Sequence, residues 1–239
     1  MKKPLTGYKA LVTGGTRGIG RAIALRMIED GASVTVTGRG RDVVVHQECS
    51  YKCVDFTDIE QTEMFAKEVA SGDFQILVNN AGINKIDTVE NVNMTDYDRI
   101  QQVNVRAPFL LSKSVLPAMR RKKWGRIVNI GSVFGVVGKT MRGAYSTSKS
   151  ALYGMTASMA AEVASDNVLI NCVSPGFIDT ELTSSILDKN GIEEIIKVVP
   201  MGRLGKPNEV AALVLWLVGP GNSFISGQNI IIDGGFTRV

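Results

Sequence analysis

"KALVTGGTRGIG", residues 9–20, sets a short apolar run directly against a cluster of glycines. Residues 9–12 read as a buried strand. Ile19–Asp30 carries a helical period that stops at Gly31, a suitable C-cap. A glycine-rich turn between a first strand and a first helix is the junction that cradles a pyrophosphate. Gly14 suits the tight turn, Gly18 lets the backbone approach phosphates, and Gly20 permits close helix–strand packing. The helix N-terminus adds free N–H groups and the positive end of its dipole. The spacing is G-x-x-x-G-x-G, not the better-known G-x-G-x-x-G, so the turn's place in the chain carries the reading more than its glycines do.

Outward from this turn the chain alternates strands with helices. "SVTVTGR" (33–39) is the second strand, "YKCVDF" (51–56) the third and "FQILVNNAG" (74–82) a buried fourth. Residues 57–72 form a helix opened by Thr57 or Asp58. Residues 95–123 form one long helix, with Pro108 the expected kink. "GRIVNIGS" (125–132), "VLINCVSPG" (168–176) and "GQNIIIDGG" (227–235) are further strands, with helices at 144–164 and 208–219. Such alternation predicts an α/β fold, a single doubly wound parallel sheet of Rossmann type with helices on both faces. Residues 1–239 are read as one domain, with a cofactor half to about 130 and a catalytic and substrate half from 131.

The composition fits a soluble globular chain: 239 residues, 44% hydrophobic and 21% charged. A net charge of +4 implies no nucleic-acid partner. The apolar run 210–218 is too short to span a bilayer, and "MKKPLTGYKALVTGG" has no signal-peptide h-region, so a cytoplasmic location is expected. Three cysteines argue against a disulfide framework. His46, Cys49 and Cys53 are close in sequence, but no fourth ligand follows at zinc-site spacing, so no metal is expected. A single histidine far from any serine motif also weakens a Ser-His-Asp hydrolase.

Two local features point to chemistry. The second strand ends in Gly38 and Arg39 with no carboxylate to hold the ribose 2′-hydroxyl of NAD. Arg39 and Arg17 are either surface arginines or partners of a 2′-phosphate, which favours NADPH over NADH. "AYSTSK" (144–149) sets Tyr145 and Lys149 four apart, on one face of a helix. A cation beside a phenol favours the phenolate, so the pair is either a proton donor with its helper or two surface residues.

With "TGGTRGIG" (13–20), "NNAG" (79–82), "IGS" (130–132), "YSTSK" (145–149) and "SPGFIDT" (174–180) in order, the chain resembles the short-chain dehydrogenase/reductase family almost end to end, and most of all its 3-oxoacyl-(acyl-carrier-protein) reductase branch. The resemblance implies a catalytic tetrad of Asn104, Ser132, Tyr145 and Lys149. Tyr145 would exchange a proton with the substrate oxygen, and Ser132 would donate a hydrogen bond to that oxygen. Lys149 would support the phenol and hold the nicotinamide ribose, and Asn104 would hold a water leading to solvent. It further implies cofactor contacts from Thr16, Ile19, Asp55, Phe56, Asn80, Gly82, Pro175, Gly176, Ile178 and Thr180, beside the glycines and arginines already named. Asn79 would brace the sheet, and residues 180–199 would form a lid over the substrate. The implied activity is NADPH-dependent reduction of a ketone, a 3-oxoacyl thioester first and a sugar, polyol or small oxo acid second. A homotetramer is implied, with acyl-carrier protein a candidate partner. A non-catalytic dinucleotide sensor is the reading of another class, disfavoured because all four tetrad positions are filled.

The segment between Arg39 and Asp55 is too short for a helix and a strand together, which leaves the adenine end more open. "MRRKKWGR" (119–126) either docks an acidic carrier protein or is a solvated helix end. Asp166 counts against docking, because the carrier-protein reductases resembled often have a base there. Lys139 and Arg142 either are loop surface or signal a substrate bearing a carboxylate or phosphate.

Overall fold

Seven short strands among the described residues assemble into one parallel sheet in the order β3-β2-β1-β4-β5-β6-β7. The computed structural model describes residues 3–41, 43–186 and 188–239, so Asp42 of the short segment and Leu187 of the expected lid lie outside the described residues. The strands are β1 (Lys9–Val12), β2 (Ser33–Gly38), β3 (Cys49–Cys53), β4 (Ile76–Asn79), β5 (Gly125–Ile130), β6 (Val168–Pro175) and β7 (Asn229–Ile232). Central β4, β5 and β6 are buried along their whole length, as expected of strands covered on both faces.

Helices α1 (Gly18–Glu29) and α8 (Pro207–Val218) pack together on one face, where Ile23, Met27, Val210 and Val214 are buried. Helices α2 (Ile59–Ser71), α4 (Ala107–Lys122) and α5 (Gly143–Val163) cover the other, with Phe65, Leu111 and Met159 in its core. α3 (Met94–Gln101) precedes α4, while α6 (Glu181–Ile186) and α7 (Lys189–Val198) follow β6. The fold is therefore the doubly wound α/β sheet expected from the sequence. Its strand order reverses between β1 and β4, the point at which such sheets bind ligands outside the strands' carboxyl ends.

Two details differ from the sequence reading, and a third bears on a choice it left open. β3 runs Cys49–Cys53, two residues earlier than expected, as an edge strand whose mixed residues give little periodicity. The long helix is interrupted; a π-helical turn, Gln102–Arg106, joins α3 to α4, and Pro108 lies in the first turn of α4. Pro108 has no N–H to offer the carbonyl of Asn104 four residues back, and the Ala107 N–H instead reaches back five residues to Gln102 O.

The third concerns the basic cluster at 119–126. It closes α4 where β5 begins, at the amino edge of the sheet, whereas Tyr145 follows the carboxyl end of β5. Asp166 accepts a bond from Arg120 Nε at 2.6 Å and pairs with Lys123, and these two cations hold its carboxyl below the ordinary value. Lys122 pairs with Asp73, and Arg126 is buried with its guanidinium 4.6 Å from the Trp124 ring centroid. Arg120, Lys122 and Lys123 stay half-exposed while paired, so the cluster is a solvated helix end at the opposite end of β5 from Tyr145.

Between β2 and β3 the described residues form no helix, in agreement with the short spacing, and Tyr51 Oη donates to Gly40 O across that connection. His46 Nδ1 accepts from the Glu48 N–H at 3.3 Å, and Cys53 Sγ donates to Arg39 O at 3.4 Å. Among the described residues no group of three or more metal-ligating side chains gathers, and no helix is long and apolar enough to cross a membrane.

Candidate active site

The glycine turn is held from two sides. Thr37 Oγ1 accepts from the Gly14 N–H at 3.1 Å, and Asn80 Nδ2 donates to Thr13 O at 2.9 Å and to Gly14 O at 3.1 Å. Thr13 Oγ1 accepts the N–H groups of Asn80 and Ala81, both at 3.0 Å. Sequence reasoning missed Thr13; its signal is a hydroxyl residue just after β1, beside the "NNAG" turn that follows β4. Asn80 thus shapes the turn with its amide.

Gly18 has φ +53°, in the left-handed region that favours glycine. Gly20 leaves no space, since a Cβ there would lie 2.4 Å from both Gly14 O and Asn80 Nδ2. The N–H groups of Gly18, Ile19 and Gly20 open α1 without intrahelical acceptors, no side chain caps them, and no acidic residue occupies the first turn. This cradle fits a dinucleotide's phosphates. Thr180 closes it from the far side, its Cγ2 3.5 Å from where a Gly18 Cβ would lie. Ile178 is buried, and its carbonyl accepts from Thr183 Oγ1 at 2.6 Å, which fixes the segment after the Pro175–Gly176 corner.

At the adenosine end Gly38 abuts the glycine turn, a Cβ there falling 2.8 Å from Thr16 Cγ2. Arg17, Arg39 and Arg41 are exposed around it, so the fold brings Arg17 and Arg39 to one end of the cradle. Asp55 Oδ1 accepts from the N–H and hydroxyl of Thr57, at 2.9 and 2.8 Å, leaving Oδ2 for a ligand. Phe56 is buried edge-on against Phe65.

The tetrad residues converge beyond the carboxyl ends of β4 and β5. Tyr145 lies in the first turn of α5, and Lys149 one turn on is 6% exposed. Lys149 Nζ donates to Ile130 O at 2.8 Å and lies 5.7 Å from the Tyr145 ring centroid. A Cβ at Gly82 would fall 3.5 Å from that Nζ and 3.4 Å from Asn104 Oδ1. Ser132 Oγ accepts from the Phe134 N–H at 3.2 Å, which leaves its proton free to donate.

Asn104 sits within the π-helical turn, 1% exposed. Its Oδ1 accepts from the Ile83 N–H, and its Nδ2 donates to Ile83 O and Ser148 Oγ, all at 2.9 Å. Both ends of the amide are engaged, so one further acceptor direction on Oδ1 is left for the water expected there. Ser148 was not singled out from sequence, although it sits inside "YSTSK". Asn79 does brace the sheet, donating to Asn129 Oδ1 at 2.8 Å and Ser112 Oγ at 3.2 Å.

A family model described as Enoyl-(Acyl carrier protein) reductase matches residues 14–237. The 3-oxoacyl-[acyl-carrier-protein] reductase FabG of Vibrio harveyi is 37% identical over 243 residues, covering 98% of this chain and 99% of that protein. A putative NAD(P) dependent gluconate 5-dehydrogenase from Beutenbergia cavernae, with bound NADP, superimposes with TM-score 0.93 at 32% identity over 100% of both chains. A gluconate 5-dehydrogenase from Burkholderia cenocepacia in complex with NADP and tartrate gives TM-score 0.91 at 27% identity, over 100% of this chain and 98% of that one.

Proposed function

This chain belongs to the short-chain dehydrogenase/reductase family and is an NAD(P)-dependent oxidoreductase of the carbonyl/secondary-alcohol pair; on that premise we propose that it reduces a ketone with NADPH, using Tyr145 as general acid. The observation that carries this reading is Lys149, buried, tied to Ile130 O and facing the Tyr145 ring beside the glycine cradle. When bound, the nicotinamide supplies the hydride. Tyr145 gives its phenolic proton to the carbonyl oxygen and, in the reverse direction, takes it back. The charge of Lys149 offsets the negative charge left on the phenol oxygen, and Ser132 Oγ donates to the substrate oxygen where charge develops. Asn104 is a positioning residue that ties the Ile83 backbone to α5 through Ser148. Residues up to about 130 supply most of the cofactor cradle, which Thr180 closes, and those from 131 supply the acid and the substrate wall.

The NADPH preference rests on Gly38 in place of a carboxylate and on Arg39 and Arg17 at the same end. Arg39→Asp is expected to lower kcat/KM with NADPH by about 10–100-fold and to move preference towards NADH, since hydrogen bonds to a charged group carry about that weight. Steady-state rates with the two cofactors check this. An unchanged ratio moves the 2′-phosphate contact elsewhere.

For substrate, the 37% identity to a 3-oxoacyl-[acyl-carrier-protein] reductase supports a 3-oxoacyl thioester. A sugar, polyol or small oxo acid is the second reading, supported by the likeness to gluconate 5-dehydrogenases at TM-scores of 0.93 and 0.91. A cytoplasmic homotetramer is the assembly and location we infer from the family.

A further inference from the structure

Arg142 is the residue before α5, three positions ahead of Tyr145. Its guanidinium carbon lies 5.7 Å from the centroid of the Phe134 ring, and Phe134 follows Ser132 by two residues. The cation is therefore bracketed by the two segments that carry the proton donor and the oxygen-holding hydroxyl. The side chain is half-buried, and Nη1 is buried with no acceptor among the described residues. Burial pushes the guanidinium below its ordinary value, and the neighbour that opposes this is Tyr145, not a carboxylate. Lys139, the other base before α5, is exposed.

A buried guanidinium donor without an acceptor is costly unless a partner arrives. Its planar fork matches a carboxylate, which can accept two parallel bonds. The ring beneath it is backed by an aromatic row, Phe134–Phe177–Phe236, with centroids 5.7 and 5.2 Å apart, an apolar wall for a short carbon skeleton. Asn84 Oδ1, Thr88 Oγ1 and Ser146 Oγ are also buried with no partner among the described residues, and the Asp87 N–H donates to Met141 O at 3.2 Å, which joins their two segments beside Arg142.

We propose that Arg142 determines substrate choice by binding the carboxylate of a small oxo or hydroxy acid whose carbonyl faces Tyr145 and Ser132. The proposal rests on the reading of the tetrad given above and narrows its substrate to the second class. An uncharged thioester end would leave the guanidinium unmatched.

The test compares 2-, 3- and 4-oxo acids with their own methyl esters at saturating NADPH. In the wild type at least one acid should exceed its ester in kcat/KM by about 10–100-fold, the weight of charge-assisted hydrogen bonds. Arg142→Gln should bring that ratio close to one, and Arg142→Lys, which keeps the charge, should retain part of it. No acid preference in the wild type, or a preference that survives Arg142→Gln, overturns the proposal. Calorimetric titration of malonate into the enzyme–NADPH complex separates this failure from failure of the tetrad reading. If no ketone turns over yet malonate binds in an Arg142-dependent way, the reductase reading fails and the anion site stands. If esters and neutral ketones turn over with no acid preference, the reductase reading stands and the anion site fails.

Discussion

Tyr145→Phe is expected to lower kcat by about 10²–10⁴-fold while NADPH still binds close to wild-type affinity, because the substitution removes the phenolic hydroxyl and leaves the ring in place. The ring stays over the first turn of α5, and Lys149 Nζ keeps its bond to Ile130 O, so the cofactor-facing scaffold is undisturbed. What is lost is an interaction made as charge builds on the substrate oxygen. Both kcat and kcat/KM should therefore fall together. Ser132 and Lys149 remain to stabilise that charge, so a residual rate is expected. Steady-state kinetics with a fluorescence titration of NADPH check both halves. Full activity in Tyr145→Phe would remove the phenol from the mechanism, and loss of cofactor binding would make its role structural.

Gly20→Ala should act on the other half of the site. The added Cβ would stand 2.4 Å from Gly14 O, a backbone atom inside the turn, and 2.4 Å from Asn80 Nδ2. Asn80 can rotate only by giving up its bonds to Thr13 O and Gly14 O, which hold the turn in shape. Overpacking of this kind costs about 1–3 kcal/mol of stability. The larger effect is on ligand affinity. If the turn opens, the free N–H groups of Gly18, Ile19 and Gly20 no longer converge, and each lost hydrogen bond to a charged phosphate weakens binding by about tenfold or more. Thermal melting and NADPH titration separate the two effects. A folded Gly20→Ala protein that binds NADPH as tightly as wild type would mean that the phosphates lie elsewhere.

Much of this was legible in the sequence because it is local or periodic. The turn at 13–20, the buried runs of β4, β5 and β6 and the face shared by Tyr145 and Lys149 are all written within a few residues of one another. What was not legible depends on distance or on a single-residue irregularity. The π-helical turn at 102–106 leaves the helical period almost unchanged, and its one signal is Pro108, four residues after Asn104. β3 is an edge strand with half-exposed residues, so no apolar run fixed its start. The basic run at 119–126 has a clear composition, but only topology reveals that it closes α4 at the amino edge and that Asp166 joins two of its cations. Arg142 was visible as a charge near Tyr145, while its place over Phe134 and its unpartnered Nη1 are properties of the folded chain.

The most direct measurement of the central claim is the absorbance-followed consumption of NADPH and NADH by the wild-type protein. The ketone panel holds acetoacetyl thioesters, a 3-oxoacyl carrier protein, oxo acids and keto-sugars. The expected result is turnover of at least one ketone, faster with NADPH than with NADH, with free small substrates preferred to the carrier-bound one. Tight cofactor binding with no ketone reduced would contradict it and leave a dinucleotide sensor as the better description.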